Sequence, residues 1–380
     1  MTNAEIVIIG AGISGAVLAE QYANAGKRVL IIEKRNHIAG NCYDYIDENG
    51  ILVSKYGAHL FHTNDETVWK YVNSFSEWYP WEHKVLANVD GSLVPIPVNI
   101  TTVNTLFGTD IKTESEMKKW FEDNAPSISQ PADGREAALS KVGPVLYEKM
   151  FRHYTKKQWD KYPEELDASV LDRIPVRTNY DDRYFSDTYQ ALPKGGYTQL
   201  FDSILNHSNI EVMLNTDFFD IRDQLDGYEK LFYTGPIDRF FDFKYSLDEK
   251  LEYRSINFVS ETVDAEFFQN NSVINYPGRE VDFTRIIEYK HFGNQESAKT
   301  TIVREYTMDE GEPYYPVPNA RNQEIYEMYK NEATTVPDVY FVGRLANYKY
   351  FNMDQAFKNA LDLFKSLEKV ESAASAKAII

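Results

Sequence analysis

The chain has 380 residues and one cysteine, Cys42, so no internal disulfide can form and the core must close by packing alone. No apolar run approaches the ~20 residues of a membrane-spanning helix. The first residues are strand-like and lack a basic leader, which argues against a signal peptide. Lysine and arginine (40) are outnumbered by aspartate and glutamate (58), leaving a net charge of −18, so nucleic acid is a poor partner by long-range field. These absences predict a cytoplasmic chain with neither a membrane nor nucleic acid as partner. Anionic small ligands are admitted only where arginines gather locally. Aromatic residues are plentiful, at 14% with 27 tyrosines, and tyrosine can offer an apolar face to a base or sugar and a hydroxyl to a phosphate. The length suggests two or three domains of ~100–200 residues.

The order of elements predicts an α/β fold. Ile6 to Ile9 is a β-branched run that reads as a buried parallel strand. Ile13, Val17, Leu18 and Tyr22 come next at helical spacing, Gly26 sits where a cap would, and Val29 to Ile32 is a second strand. Thr63 to Glu66 reads as a capping box before a helix carrying Val68, Val72 and Phe75. Asp90-Gly91 lies between strand patterns at Val85 to Val89 and Leu93 to Ile96, a hairpin signal. Thr113 and Glu116 form another capping box, and Gly143-Pro144 opens a helix with Leu146, Met150 and Tyr154 on one face. Asn257 to Thr307 is mostly strand, and Val339 to Val342 is one more apolar strand before a helix from about Met353 to Leu367. The expected division is a discontinuous α/β domain (1–78, 193–245, 335–367), an inserted helical domain with a mobile loop (100–178) and an antiparallel sheet domain (79–99, 179–192, 246–334). Residues 368–380 show no helical stripe and read as a disordered tail.

Gly10, Gly12 and Gly15 form GxGxxG between the first strand and its helix. The first glycine makes the turn, the second admits a pyrophosphate and the third lets helix pack on strand. Ile13 and Ser14 open the helix, whose N-terminal amides and dipole favour phosphate. Glu33 lies 18 residues beyond Gly15, at the end of the second strand, where a carboxylate accepts ribose hydroxyls. The stretch after Glu33 leans toward FAD rather than NAD. A basic pair begins with Lys34, and Gly40 comes next; "VYFVGR" ends in Gly343 and Arg344, the latter suited to a pyrophosphate. Both stretches resemble flavoproteins of the glutathione-reductase-like and amine-oxidase-like type, so the discontinuous α/β domain is expected to be a FAD-binding, Rossmann-like domain. Asp354 opens the last helix, whose amides can face a flavin ring. His59 and His62, three apart, invite a metal reading, but no third ligand cluster accompanies them and none is assigned.

Three stretches do not suit ordinary redox chemistry: "MFRHYTKKQWD" (150–160), "LDRIPVRTNYDDRYF" (171–185) and "NYPGREVDFTRIIEYKHF" (275–292). Phe151 and Tyr154 offer aromatic faces for a base, a contact worth ~1–3 kcal/mol. Trp159 offers a wider face for a sugar. Arg173 and Arg279 can each fork onto phosphate oxygens. With "YGAHLFHT", "YTKKQW", "LDRIPVR", "LPKGGYT", "NYP" and "GRLANYKYFNMDQ", the chain resembles the bacterial UDP-galactopyranose mutase family over nearly all of residues 1–367.

That resemblance implies site residues. Phe151, Tyr154, Thr155 and Trp159 line the uridine end. Arg173, on a closing loop, and Arg279 hold the diphosphate, with hydroxyls from Tyr184, Tyr314 and Tyr348, and Asn275 joins the substrate set. His62 lies against the flavin and is grouped with both arginines as catalytic. Lys34, Asn41, His59, Leu60 and Met353 join the cofactor contacts. The implied reaction interconverts UDP-galactopyranose and UDP-galactofuranose, feeding surface polysaccharide, with no net redox change: N5 of reduced FAD attacks the anomeric carbon of galactose and displaces UDP, which later returns. No side-chain nucleophile is required. A reductant such as NAD(P)H or a reducing partner, and a homodimer, are also implied. The rivals are an amine-oxidase-like flavoenzyme and a nucleotide-sugar binding protein without activity.

Overall fold

The computed structural model describes residues 3–172, 176–245, 250–293 and 295–378. A five-stranded parallel sheet runs in the order Ile210–Met213, Val29–Ile32, Ile6–Ile9, Lys230–Tyr233, Val339–Phe341. The strand Ile6–Ile9 is buried at every position because both sheet faces are covered. Successive side chains alternate between the faces. Ile6 and Ile8 join Val17, Leu18, Tyr22 and Phe357 under the helices Ile13–Asn24 and Met353–Ala378. Val7 and Ile9 join Leu30, Tyr233 and Phe240 on the other side.

A seven-stranded sheet stands beside it, ordered Tyr315–Pro316, Tyr253–Val263, Thr300–Met308, Arg285–Glu288, Val273–Asn275, Val85–Val89, Ser92–Ile96. Its strands pair antiparallel, as the sequence suggests, with one exception: Val273–Asn275 runs parallel to Val85–Val89. The exception arises because the Asp90-Gly91 hairpin docks from a distant part of the chain rather than through a tight turn. A smaller antiparallel sheet, ordered Phe61–Thr63, Tyr189–Pro193, Trp78–Pro80, carries His62.

The helices of the inserted segment pack over the seven-stranded sheet. Gly143, at φ 76°, breaks the helix there, and Pro144 restarts it. The chain then makes a wider π-helical turn over Tyr147–Arg152 before the helix His153–Trp159. That turn advances the helical phase. Leu146, Met150 and Phe151 are buried, whereas Tyr154 leaves the expected apolar stripe and is only partly covered.

Two local expectations change. The first capping box is not formed by Thr63, which ends a strand. Asp65 caps the helix Glu66–Asn73, accepting from the amides of Thr67 and Val68, while Thr63 Oγ1 accepts from Asp65 N at 3.0 Å. The final helix does not stop near Leu367 but extends as Met353–Ala378. Alanines at 373, 374, 376 and 378 supply propensity there without an apolar stripe.

Candidate functional site

A cavity of about 680 Å³ opens at the C-terminal ends of the parallel strands, where ligands bind in open α/β sheets. Gly10, Gly12, Ile13, Ser14, Glu33 and Lys34 line one end. A Cβ on Gly15 would collide with the carbonyl oxygen of Gly10, so the glycine is required for helix-on-strand packing. Gly343, at φ +99°, could not carry a Cβ either, since it would meet Ser14 Oγ at 2.8 Å. Glu33 is buried, with Oε2 accepting from Ala11 N at 2.8 Å and Oε1 from Arg35 N at 2.9 Å. Lys34 reaches across to Glu312 at 2.7 Å, so the segment Asp309 to Pro313 walls the cavity.

Asn41, His59, Gly343, Arg344 and Met353 line the same cavity. His59 Nδ1 lies 2.9 Å from Gly57 O, and burial lowers the ring's pKa to about 4, so it is neutral at pH 7. Gly15, Leu60 and Asp354 are not on the wall. Asp354 stands at the start of the final helix, where Oδ2 accepts from Thr63 Oγ1 at 3.1 Å and Oδ1 is buried without a partner. An elongated cradle of glycines, a helix N-terminus capped only by Gly12, a buried carboxylate and an arginine together fit a dinucleotide cofactor.

Arg344 joins this cavity to a second cluster. Its guanidinium carbon sits 5.6 Å from the Tyr315 ring and 5.3 Å from the Tyr350 ring, and Nη2 donates to Phe351 O at 2.5 Å. Tyr315 and Tyr350 stack at 5.3 Å, with Trp159 at 6.4 and 6.2 Å. Arg285 pairs with Glu305 at 2.6 Å, and its charge opposes the upward push that burial gives the Tyr154 hydroxyl. Tyr184 packs against His83 and Phe185. Asn275 is buried opposite Arg285 in the strand pair, its Oδ1 without a partner.

The structure therefore brings Tyr154, Trp159, Tyr184 and Asn275 around Arg285, Tyr315 and Tyr350, though not all as pictured from sequence. Trp159, Phe151 and Thr155 are buried, and Trp159 and Phe151 belong to the core of the helical insertion, so little open face remains. Tyr314 is on the cofactor cavity wall, beside Tyr56 at 6.1 Å. Tyr348 is taken up elsewhere: its hydroxyl donates to Glu252 O at 2.6 Å and accepts from Val317 N at 3.2 Å. A left-handed φ of 44° turns Tyr348 into a cluster with Ile325 and Tyr329, leaving Tyr350 on the other side. Arg279 is exposed, with Nε 3.1 Å from His153 Nε2. Arg173 lies outside the described residues.

His62 stacks on Phe185 at 3.6 Å and shares a hydrogen bond with Asp187. Beside them His83 is buried, with no partner for Nδ1 and a pKa lowered to about 3 by burial, aided by Arg285 and His62. Sequence reasoning missed Tyr315, Tyr350, Arg285, Asp187 and His83. Spacing gives no signal for Tyr350, since residues two apart in extended chain share a face and only the left-handed Tyr348 parts the two; the others carry no local signature either.

The sequence profile of the UDP-galactopyranose mutase family matches residues 149–350, and that of an NAD(P)-binding Rossmann-like domain matches residues 8–75. The chain is 39% identical to a probable UDP-galactopyranose mutase of Klebsiella pneumoniae, covering 95% of this chain and 94% of that one. It is 37% identical to a dTDP-fucopyranose mutase of Escherichia coli, covering 94% and 97%. A crystal structure of reduced UDP-galactopyranose mutase superposes with a TM-score of 0.76 at 17% identity, over 97% of this chain and 95% of that one.

Proposed function

This chain belongs to the UDP-galactopyranose mutase family, and from that premise we propose that it interconverts UDP-galactopyranose and UDP-galactofuranose with FAD, held reduced, as its cofactor. The observation that carries the reading is the position of Arg344. It lines the dinucleotide cavity and lies over both Tyr315 and Tyr350, so a flavin and a sugar nucleotide can meet there. When bound and reduced, the flavin supplies a nucleophilic nitrogen toward the anomeric carbon. The chain's own residues bind, orient and exclude water.

Tyr154 and its helix take the uridine. Arg279 and Arg173 take the diphosphate, which must be retained after the glycosidic bond breaks because it returns at the end of the cycle. The tyrosines of the cluster add hydroxyl donors. His62, against the flavin, acts in catalysis with the two arginines. The division into three domains is supported by the parallel sheet, whose strands all come from 1–78, 193–245 and 335–367, and by the seven-stranded sheet, drawn from 79–99 and 246–334. Among the described residues no helix is long and apolar enough to cross a membrane. We place the enzyme in the cytoplasm as a homodimer, reduced by NAD(P)H or a reducing partner.

The test is incubation of dithionite-reduced and oxidised protein with UDP-galactofuranose, then chromatography for the pyranose isomer. Conversion in the reduced sample alone supports the reading, and equal rates in both remove the flavin's role. The identity to the dTDP-fucopyranose mutase is nearly as high, so dTDP-fucofuranose belongs in the same experiment. Faster turnover of that substrate would keep the reaction and reassign base and sugar.

A further inference from the structure

The segment from Tyr276 to Thr284 joins the strands Val273–Asn275 and Arg285–Glu288 and has no regular secondary structure. It is closed at its base by Tyr276 N donating to Thr284 O at 2.9 Å. Arg279 is at its exposed tip. Backbone carbonyls in such a segment must find donors outside the sheet ladder.

They find them in one side chain. Lys157, on the helix His153–Trp159, donates from Nζ to Val281 O at 3.2 Å, to Phe283 O at 3.0 Å and more closely to Tyr276 O. An ammonium has three N–H donors and no acceptor, so this one is saturated by carbonyls from both arms of the loop. Burial lowers its pKa to about 8, against the pull of Glu280 and Asp282 on the same loop, and it stays charged at neutral pH. The helix is itself tied to the sheet, since Thr307 Oγ1 donates to Lys157 O. One turn earlier on that helix His153 meets Arg279 Nε, and Tyr154 lies between His153 and Lys157 in sequence.

We infer that Lys157 is a positioning residue: its ammonium staples the Arg279 loop to the helix that carries Tyr154, so that the diphosphate arginine and the uridine platform are held at a fixed distance before substrate arrives. The inference rests on the proposed role of Arg279 at the diphosphate. A lysine placed only to attract a dianion would leave its Nζ open to solvent, whereas this one is turned inward onto carbonyls. Preorganising the arginine lowers the ordering cost of binding.

The test uses the flavin-loaded full-length protein and UDP as the probe, with Kd read by calorimetry. Charge-assisted hydrogen bonds of ~1.5–3 kcal/mol correspond to roughly 10–100-fold in affinity. Arg279→Ala is expected to weaken UDP binding ~30-fold and Lys157→Met ~10-fold. The double variant is expected to be no weaker than ~30-fold, because Lys157 acts through Arg279. Bound flavin and Tm are tracked in every variant. If Arg279→Ala binds UDP normally, the diphosphate assignment falls, whatever Lys157 does. If Arg279→Ala weakens binding and Lys157→Met does not, or if the two losses multiply, the stapling role is overturned. Should Lys157→Met fail to fold, Lys157→Gln is read in the same cycle, and wild-type affinity in that variant overturns the inference as well.

Discussion

Asp187 Oδ2 lies 2.9 Å from Nδ1 of His62, and the same carboxylate accepts from Asn64 Nδ2 at 3.0 Å through its other oxygen. A carboxylate on Nδ1 fixes which imidazole nitrogen holds the proton and leaves Nε2 as an acceptor. The stack on Phe185 fixes the ring plane. Opening and reclosing a sugar ring moves protons between hydroxyls, and a positioned base contributes roughly 10²–10⁴-fold to such transfers. Asp187→Asn is therefore expected to lower kcat ~10-fold by loosening the ring's orientation, with KM and flavin content unchanged. Steady-state assays of the reduced enzyme check it, and a KM effect alone would show that the pair only shapes the pocket.

Tyr348 and Tyr350 should separate stability from activity. The Tyr348 hydroxyl donates to Glu252 O and accepts from Val317 N, adding to the bond that Val317 N makes to Glu252 O at 3.1 Å. Tyr348→Phe is expected to cost about 0.5–1.5 kcal/mol of stability, seen as a lower Tm, with turnover little changed. Tyr350→Phe keeps the ring stacked on Tyr315 beside Arg344 and removes only the hydroxyl, and is expected to lower kcat/KM. The opposite pattern would return the substrate role to Tyr348.

Gly15→Ala tests the cofactor cradle. The new methyl has no room beside Gly10 O, and overpacking of this kind costs typically about 1–3 kcal/mol. Helix and strand must part at the turn proposed to cradle the pyrophosphate, so flavin absorbance after purification should fall along with Tm. Full flavin content with a lowered Tm would place the cofactor away from this turn.

The dinucleotide half of the molecule was legible because backbone geometry dictates its residues. Gly10, at φ +104°, and Gly15, against Gly10 O, are needed by a turn and a helix-on-strand contact, Gly12 and Glu33 complete the spacing, and all lie in elements adjacent in sequence, where local pattern carries such information. The Asp90-Gly91 hairpin and the Thr113–Glu116 capping box were legible for the same reason. The helix start at Asp65 was misread because Thr63 and Asp65 are both good caps, and only the pairing of Phe61–Thr63 with Tyr189–Pro193 assigns Thr63 to a strand. The sugar-nucleotide half was legible as motifs but not as contacts. Tyr350 rather than Tyr348 faces Arg344 because one left-handed residue lies in that stretch. Lys157 sits in the quoted "YTKKQW", yet a lysine on a helix reads as a solvated charge until the loop 276–284 is folded over it.

A final prediction concerns pH. Asp238, at the start of the short helix Ile237–Phe240, is 2% exposed and lines the cofactor cavity. Burial raises its pKa from 3.8 to about 6, opposed by hydrogen bonds from the Arg239 and Leu251 amides and the Tyr253 hydroxyl. A carboxyl whose folded pKa is raised binds its proton more tightly in the folded state. It therefore costs nothing below the unfolded value and destabilises increasingly as pH rises through about 6. A shift of that size corresponds to on the order of 3 kcal/mol once ionisation is complete. Asp238→Asn keeps an acceptor for the two amides and removes the ionisation. Its Tm is expected to exceed that of the wild type at pH 7.5 and to approach it at pH 4.5. Melting curves of cofactor-free protein at the two pH values check this, because bound flavin would add its own stabilisation. A gain of equal size at both pH values would mean that packing, not the buried charge, limits stability at this end of the cavity.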